Sequence, residues 1–213
     1  MDMAAMREEF GRAGLDVSDV AEDPIVQFRE WFDLWKTVDP HLADTMVLST
    51  VDAEGWPDAR AVLLKGVDSR GFVFFTNRTS AKGVQLEAGG RAALTMVWRE
   101  IERQVRVVGE VSRVPESESD AYFASRPRGA QIGACASEQS AVLGSRAELE
   151  ARVAELEQQY PNKIPRPAHW GGYLVAPRSV EFWQGRPDRL HDRVRYRLET
   201  DAADAWIVER LAP

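Results

Sequence analysis

This chain is poor in several features that define large classes of proteins. Its 213 residues include one cysteine, Cys135, and three histidines, His41, His169 and His191. A single cysteine cannot form an internal disulfide, and no CxxC or HExxH spacing accompanies the histidines, so we expect no bound metal. The nucleotide-binding signatures GxGxxG and GxxxxGK[ST] are also missing, which disfavours Rossmann and P-loop folds.

The chain also lacks long hydrophobic runs and an overall basic charge. No stretch of about 18 apolar residues occurs, and the first residues, MDMAAMREEF, lack the order of a signal peptide. We therefore expect a cytoplasmic protein with no membrane partner. The net charge is −7. Because nucleic-acid binding needs a basic surface, we expect no nucleic-acid partner.

The basic residues are mostly arginine, with 4 lysines among the 27 basic side chains. Arginine suits bidentate contact with phosphate and carboxylate groups. A GC-rich genome produces the same bias, so the arginine content alone leaves both explanations open.

The N-terminal residues differ in composition from the rest of the chain. Residues 1–23 carry seven acidic side chains and few large apolar ones, which predicts a flexible N-terminal arm. Residues 24–213 have the composition of one globular domain. Asp23-Pro24 predicts the start of a helix over residues 24–36, since apolar residues recur there at helical spacing.

Short runs typical of β-strands dominate after residue 44. They are separated by turn residues, which predicts antiparallel pairing. Helices are predicted over 80–90, in the segment PESESDAYFASRP, and from Ser145 to Pro161. The fold class is therefore mainly β with peripheral helices, and we expect an antiparallel barrel. The predicted strands are TMVLSTV, ARAVLLK, FVFFT, RAALTMVW, QVRVVGEVSRV, YLVAP, SVEFWQG, RVRYRLE and AWIVERL.

Candidate anion ligands occur in three places before residue 130. Phosphate groups need several charge-assisted donors, and helix N-termini add backbone N–H groups. Strand alternation places Lys65 on one face with Ala61 and Leu63. The candidates are Arg60 with Lys65, Ser80 with Lys82, and Arg126 with Arg128.

The segment EFWQGRPDRLHDR, residues 181–193, is the densest group of candidate functional residues. Residues 186–197 contain five arginines and two aspartates, a local charge of +3 in a chain of −7. This predicts a site for an anion. His191 lies within it, and its type allows a general acid, a general base or a hydrogen-bond donor to an oxyanion.

Taken together, these segments resemble the pyridoxamine 5'-phosphate oxidase family over nearly the whole chain. RPR-x-x-QIGA and FWQG-x-x-x-RLHDR carry most of the resemblance. It implies an FMN-binding split β-barrel, a homodimer and FMN at the subunit interface. The other matching segments, in order, are RAVLLK, GFVFFTNRTSAK, ERQVRVVGEV, SEQS, WGGY and the terminal ERLAP.

The resemblance also implies a role for individual residues of this chain. Arg189 and His191 are the expected catalytic residues, which also contact the substrate. The other expected substrate ligands are Arg7, Lys65, Tyr122 and Arg126. The expected cofactor-binding residues are Arg60, Val62, Leu63, Lys65, Phe75, Thr76, Lys82, Gln104, Gln139, Ser140, Trp183 and Arg193.

The implied reaction is oxidation of pyridoxamine or pyridoxine 5'-phosphate at C4' to pyridoxal 5'-phosphate, with molecular oxygen as acceptor and hydrogen peroxide as product. Two alternatives remain open at this stage. One is a related flavin oxidase of the phenazine-biosynthesis type, which acts on a larger aromatic substrate. The other is a non-catalytic protein that binds flavin or a B6 vitamer.

The sequence departs from the family pattern at four positions. Ala130 stands where a serine commonly donates to the substrate phosphate, and Ala81 where a second basic residue often contacts the FMN phosphate. Phe10 replaces a tyrosine of the N-terminal segment, and Cys135 replaces a tryptophan. We expect the first two changes to weaken substrate and FMN binding.

Overall fold

The computed structural model describes residues 14–41, 43–199 and 205–213. Nine antiparallel strands form one sheet in the order β2-β1-β5-β6-β7-β4-β3, and β8 pairs with β7 and β9. The sheet curls so that β2 approaches β4 without pairing with it. The strands are Thr45–Val51 (β1), Pro57–Leu63 (β2), Gly66–Asp68 (β3), Gly71–Asn77 (β4), Arg91–Trp98 (β5), Arg103–Arg113 (β6), Trp170–Gln184 (β7), Asp192–Leu198 (β8) and Trp206–Leu211 (β9).

Five α-helices lie around this sheet in the described part of the chain: Pro24–Val38 (α1), Ala81–Gly89 (α2), Glu116–Ser125 (α3), Arg128–Ala136 (α4) and Arg146–Gln159 (α5). The predicted fold class, mainly β with peripheral helices, is confirmed. Helix α1 begins as expected, because the Asp23 carboxylate accepts the Ile25 N–H at 2.6 Å. Its buried face packs Phe28 and Trp31 into the core between the helix and the sheet.

The long strand β7 was predicted as two strands separated at Pro177, and the structure corrects this. Proline lacks the N–H that an interior strand needs. Pro177 is tolerated because β4 pairs with β7 only up to Val175, whereas β8 begins to pair at Ser179. The register with β6 also shifts here, where Gly109 lies opposite Pro177. A Cβ on Gly109 would lie 2.1 Å from the Ala176 carbonyl oxygen, so this close approach requires glycine.

The N-terminal arm was predicted to be flexible through residue 23, and residues 14–23 correct that boundary. Leu15 is buried, and its N–H donates to the Asp192 carboxylate at 3.1 Å. Arg210 binds the Leu15 carbonyl at 2.7 Å and pairs with both Asp16 and Asp192. These contacts order the segment against β8 and β9.

Within the described residues, no helix combines the length and the apolar character that a membrane span requires.

Two elements of the structure were missed by the sequence-based prediction. Helix α4 was not predicted, and neither was the three-residue strand β3.

Candidate functional site

A cavity of about 220 Å³ lies where β2 approaches β4 without hydrogen bonding to it. We call it the β2–β4 cavity. Nine of the predicted site residues line it: Val62, Leu63, Lys65, Phe75, Thr76, Lys82, Tyr122, Arg126 and Gln139. Ala61 and Trp170 complete the lining and were not predicted. The WGGY motif and the alternation of β2 were the signals that could have found them.

Aromatic rings form one wall of the β2–β4 cavity. Phe75 stacks on Tyr122 with ring centroids 4.1 Å apart and on Trp170 at 5.4 Å. β4 and β7 supply Phe75 and Trp170, while α3 supplies Tyr122. The flat apolar wall suits the face of an aromatic ligand.

Lys82 lies at the first turn of α2 and is half-buried. Its Nζ donates to Gln139 Oε1 at 2.9 Å, and that oxygen also accepts from the Thr76 hydroxyl at 3.2 Å. Burial, assisted by the positive charge of Arg60, lowers the pKa of the Lys82 amine from its ordinary value. A desolvated cation at a helix N-terminus favours an anionic ligand, since the backbone dipoles act in the same direction.

Ser140 lies at the same helix terminus. Its hydroxyl accepts the Ala81 N–H at 3.1 Å. It has a positive φ of 77°, an uncommon conformation for a residue with a side chain. The structure therefore brings Ser140 to the edge of the cavity beside Lys82 and Gln139.

Arg126 follows the C-terminus of α3. Its guanidinium lies 4.8 Å from the Trp170 ring, and its buried Nη1 has no hydrogen-bond partner among the described residues. Burial lowers the pKa of this guanidinium. A buried donor without an acceptor is costly, so an anion bound at this position would be stabilising.

The other two predicted cations of this region already have partners. Lys65 pairs with Asp44. Arg60 pairs with Asp58, donates to Thr50 Oγ1 at 2.5 Å and to Gln85 Oε1 at 2.9 Å. Arg60 does not line the β2–β4 cavity, although it lies close enough to affect the Lys82 pKa.

The remaining predicted residues form a second group, the β7–β8 cluster: Gln104, Trp183, Arg189, His191 and Arg193. Register fixes most of it, since Trp183 lies opposite both Gln104 and Arg193. The His191 ring packs against Trp183 with centroids 4.6 Å apart. Arg7, the remaining predicted substrate ligand, lies outside the described residues.

Arg193 is held by one group of β7 and one group that follows β9. Its Nε donates to the Glu181 carboxylate at 2.8 Å, and its Nη1 donates to the Ala212 carbonyl at 2.9 Å. Glu181 is buried, and the hydrogen bond to it, assisted by its negative charge, raises the pKa of the Arg193 guanidinium. The arginine is therefore fixed before any ligand binds.

Arg189 lies in a tight turn between β7 and β8. Asp188 and Arg189 both have positive φ angles, 58° and 61°. Such a conformation is unfavourable for residues other than glycine and persists only where surrounding contacts impose it. The turn leaves the Arg189 side chain exposed.

The β2–β4 cavity and the β7–β8 cluster lie apart in one chain. Gly172, which pairs with Phe75, and Trp183 are eleven residues apart along β7. At about 3.3 Å per residue, this is roughly 36 Å of strand. One chain therefore does not bring the two halves of the predicted site together.

The nine-stranded curled sheet and its aromatic-walled cavity define the class of flavin-binding split barrels, as two solved structures illustrate. PhzG from Burkholderia lata 383, in complex with tetrahydrophenazine-1-carboxylic acid, superposes with a TM-score of 0.86 and 31% identity, covering 92% of this chain and 95% of that one. A pyridoxamine 5'-phosphate oxidase-related, FMN-binding protein from Nostoc punctiforme PCC 73102 gives a TM-score of 0.72 at 16% identity, covering 91% and 100%, and supports the fold alone.

The sequence comparisons identify the family. Residues 40–160 match the profile described as pyridoxamine 5'-phosphate oxidase, and residues 170–213 match that of the pyridoxine 5'-phosphate oxidase C-terminal dimerisation region. The chain is 52% identical to the pyridoxine/pyridoxamine 5'-phosphate oxidase of Burkholderia cenocepacia (strain HI2424) over 99% of both chains, and 53% identical to that of Burkholderia mallei (strain SAVP1) over 99% of both chains. The chain belongs to the pyridoxamine 5'-phosphate oxidase family, which is a family of oxidoreductases.

Proposed function

We propose that this protein is an FMN-dependent oxidase that converts pyridoxamine or pyridoxine 5'-phosphate to pyridoxal 5'-phosphate in the cytoplasm. The alcohol and oxygen yield the aldehyde and hydrogen peroxide; the amine consumes water as well and releases ammonia. The observation that carries the proposal is the β2–β4 cavity, where two cations without carboxylate partners adjoin an aromatic wall.

The residues present fit a flavin with a phosphate tail. Lys82 and Ser140, at the N-terminus of α2, would hold the FMN phosphate, together with Arg60. Phe75 and Thr76 would line the bound cofactor. When bound, FMN supplies the acceptor for the two electrons and the hydrogen removed from C4'.

Lys65, Tyr122 and Arg126 would hold the substrate phosphate. The buried Arg126 Nη1 supplies an unused donor for it. Ala130 adds no side-chain donor, and its N–H already binds the Pro127 carbonyl at 2.9 Å. The chain's contribution to the reaction is orientation, because a fixed phosphate holds the reacting carbon in one place.

The separation of the two halves of the site supports a homodimer with shared sites. At 220 Å³ the cavity is smaller than the roughly 300–1,000 Å³ typical of cofactor sites. Leu63 in the cavity wall, exposed Val97 of β5, and Gln104 and Trp183 of the cluster lie on the outward face of one sheet. A second copy packed on this apolar face would place its β7–β8 cluster against the cavity.

The test is an anaerobic titration of the FMN-loaded protein with pyridoxine 5'-phosphate, followed by admission of air. We expect the flavin absorbance to bleach, an aldehyde product to form, and the absorbance to return in air. A flavin that stays oxidised with both the alcohol and the amine substrate would contradict the proposal.

Shared sites have their own test. Arg126→Met and His191→Asn each disable one half of the site. Mixing the two variants under conditions that exchange subunits should restore activity, because each heterodimer contains one intact site. A mixture no more active than its components would contradict a shared site, and mixing either variant with itself is the control.

The similarity to PhzG, solved with a reduced phenazine carboxylic acid, favours one second candidate: a flavin oxidase acting on a tricyclic aromatic acid. The two candidates differ in what the cations hold, since a phosphate dianion needs more donors than a carboxylate. Titration with a tetrahydrophenazine carboxylic acid, in parallel with pyridoxine 5'-phosphate, separates them by which substrate bleaches the flavin.

A further inference from the structure

The His191 ring makes one polar contact that determines where its proton lies. Its Nδ1 lies 3.2 Å from the main-chain nitrogen of Arg186. An amide N–H can only donate, so Nδ1 must be the acceptor and carry the lone pair. The neutral ring therefore carries its proton on Nε2.

The surrounding chain holds this arrangement in place. Residues 186 and 191 close a single tight turn, in which the Leu190 N–H donates to the Pro187 carbonyl at 3.2 Å. The turn is anchored on its β7 side, because the Gly185 N–H donates to the Glu102 carbonyl at 2.7 Å. On its β8 side, Arg186 pairs with Asp192, which also binds Arg210.

The ring plane is fixed independently of the hydrogen bond. The Trp183 and His191 centroids are 4.6 Å apart, and the ring planes are inclined at 42°. This packing limits rotation about the side-chain bonds, so the ring cannot readily exchange Nδ1 for Nε2 at the Arg186 amide. Nε2 is the ring nitrogen that remains for a ligand.

From this geometry we infer that, in the oxidation proposed above, His191 donates a hydrogen bond to the substrate through Nε2–H and does not act as a general base. The inference rests on that proposed function for its substrate. A base at Nε2 would need the lone pair that the Arg186 contact places on Nδ1. The Arg186 main-chain amide is thereby a positioning group, which acts on the substrate through His191.

The first test locates the proton directly. Long-range ¹H–¹⁵N spectra of FMN-loaded protein are recorded in the alkaline range where they no longer change with pH, and the signal lost in His191→Gln identifies His191. His169 serves as an internal reference, since its Nε2 lies 3.2 Å from the Ala134 carbonyl, which can only accept. We expect the same protonated-Nε2 pattern for both; a proton on Nδ1 of His191 would overturn the inference.

The second test uses two amides that imitate opposite ring nitrogens. The glutamine side chain places its NH₂ near the Nε2 position, whereas the asparagine side chain reaches only the Nδ1 position. We expect His191→Gln to retain turnover within about tenfold of wild type and His191→Asn to lose about 100-fold, as for loss of a donor to a developing charge. Equal losses, or better retention in the asparagine variant, would overturn the donor role.

The two tests also separate this inference from the proposed function. Wild-type protein that oxidises neither vitamer would overturn the proposed function, whatever the spectra show. A proton on Nδ1 in an active oxidase would overturn the inference and leave the proposed function intact.

Discussion

The β2–β4 cavity and the β7–β8 cluster both contain arginine or lysine side chains. The two regions differ in whether these cations are paired with a carboxylate. In the cavity, Lys82 and Arg126 are desolvated and bind no carboxylate among the described residues. In the cluster, Arg193 is paired with buried Glu181. The first arrangement is unfavourable until an anion binds, whereas in the second the arginine is the counter-ion of a buried carboxylate, so its removal would destabilise the empty protein.

From this difference we expect the cavity to supply ligand affinity and the cluster to position the ligand. A cation that lacks a counter-ion gains most when a phosphate binds, so the cavity is suited to affinity. A cation already held by its own chain gains little from a ligand, but its direction is set in advance. The predictions below test the contrast by removing comparable charges from the two regions.

Arg126→Met should produce the largest functional effect. It removes the charge-assisted hydrogen bond proposed to hold the substrate phosphate, worth about 1.5–3 kcal/mol, so the Kd for pyridoxine 5'-phosphate should rise by about 10- to 150-fold. The free energy of unfolding of the apo-protein should not fall, because the buried Nη1 has no partner to lose and its burial is unfavourable. Anaerobic substrate titration and urea unfolding of the apo-protein measure the two effects.

Arg128→Met is the matched control. Arg128 lies two residues further along but binds the main-chain carbonyls of Tyr160 and Asn162, beyond the end of α5. Its loss should leave substrate affinity unchanged. Similar losses of affinity in both variants would mean that general surface charge, not the cavity, attracts the substrate.

Arg193→Met should lower stability, which is the opposite of the effect expected for Arg126→Met. Among the described residues, the buried Glu181 carboxylate is then left with the more distant Arg106 alone, at 3.4 Å. The free energy of unfolding should therefore fall by about 1–3 kcal/mol even without FMN. Urea unfolding at one fixed protein concentration measures it.

The control for Arg193 lies two residues along the same strand. Arg195 pairs with Glu209, whose side chain is 34% exposed, so Arg195→Met should cost less than about 1 kcal/mol. If the two variants lose equal stability, Arg193 is an ordinary surface ion pair and the contrast between the regions fails.

The sequence was more informative about the cavity than about the cluster. Alternation along β2 placed Leu63 and Ala61 on the same face, and the register confirms it, since they lie opposite Thr45 and Val47. No local pattern could show that Trp183 lies far from Phe75 within one chain, because that distance depends on the length of β7. Pro177 hid the continuity of β7. A proline there indicates a strand break unless β4 and β8 are known to leave that position unpaired.

The missed helix α4 has a different cause. It contains Gly129 and Gly133 and directly follows Pro127, so its local helix propensity is low. Packing of Ile132 against Phe123 and Trp170 stabilises it instead. Tertiary burial thus overrode propensity, and that information is absent from the segment itself.

Lys82 should make FMN binding depend on pH. Burial lowers the pKa of its amine below the ordinary 10.5, so in the window between the two values the unfolded chain binds more protons than the folded apo-protein. The contribution of Lys82 to apo-protein stability therefore rises with pH across that window. FMN phosphate favours the charged amine, so FMN affinity should weaken as the pH rises through the lowered pKa.

The measurement is the FMN Kd as a function of pH, from neutral to alkaline solution. Lys82→Arg is the control, because arginine stays charged throughout. An identical alkaline weakening in that variant would assign the effect to another group and remove the evidence that the cavity cation is desolvated.

Asp188→Gly should produce the smallest effect, and in the opposite direction. The left-handed conformation of Asp188 is unfavourable for a side-chain-bearing residue but not for glycine. The greater entropy of glycine in the unfolded chain offsets part of this gain, so stability should rise by less than about 1 kcal/mol. Gly90→Ala, at a φ of 60° with nothing within 4 Å of the new Cβ, should lose a similar amount for the same reason.

The effect of Asp188→Gly on turnover shows whether the turn that contains Asp188 and Arg189 contributes to positioning by the β7–β8 cluster. A more flexible turn should let Arg189 and the Arg186–His191 contact fluctuate, so kcat should fall slightly while the FMN Kd stays unchanged. If kcat is unaffected, the left-handed residues only connect β7 to β8. A change in FMN affinity instead would mean that the cluster shares the binding role assigned here to the cavity.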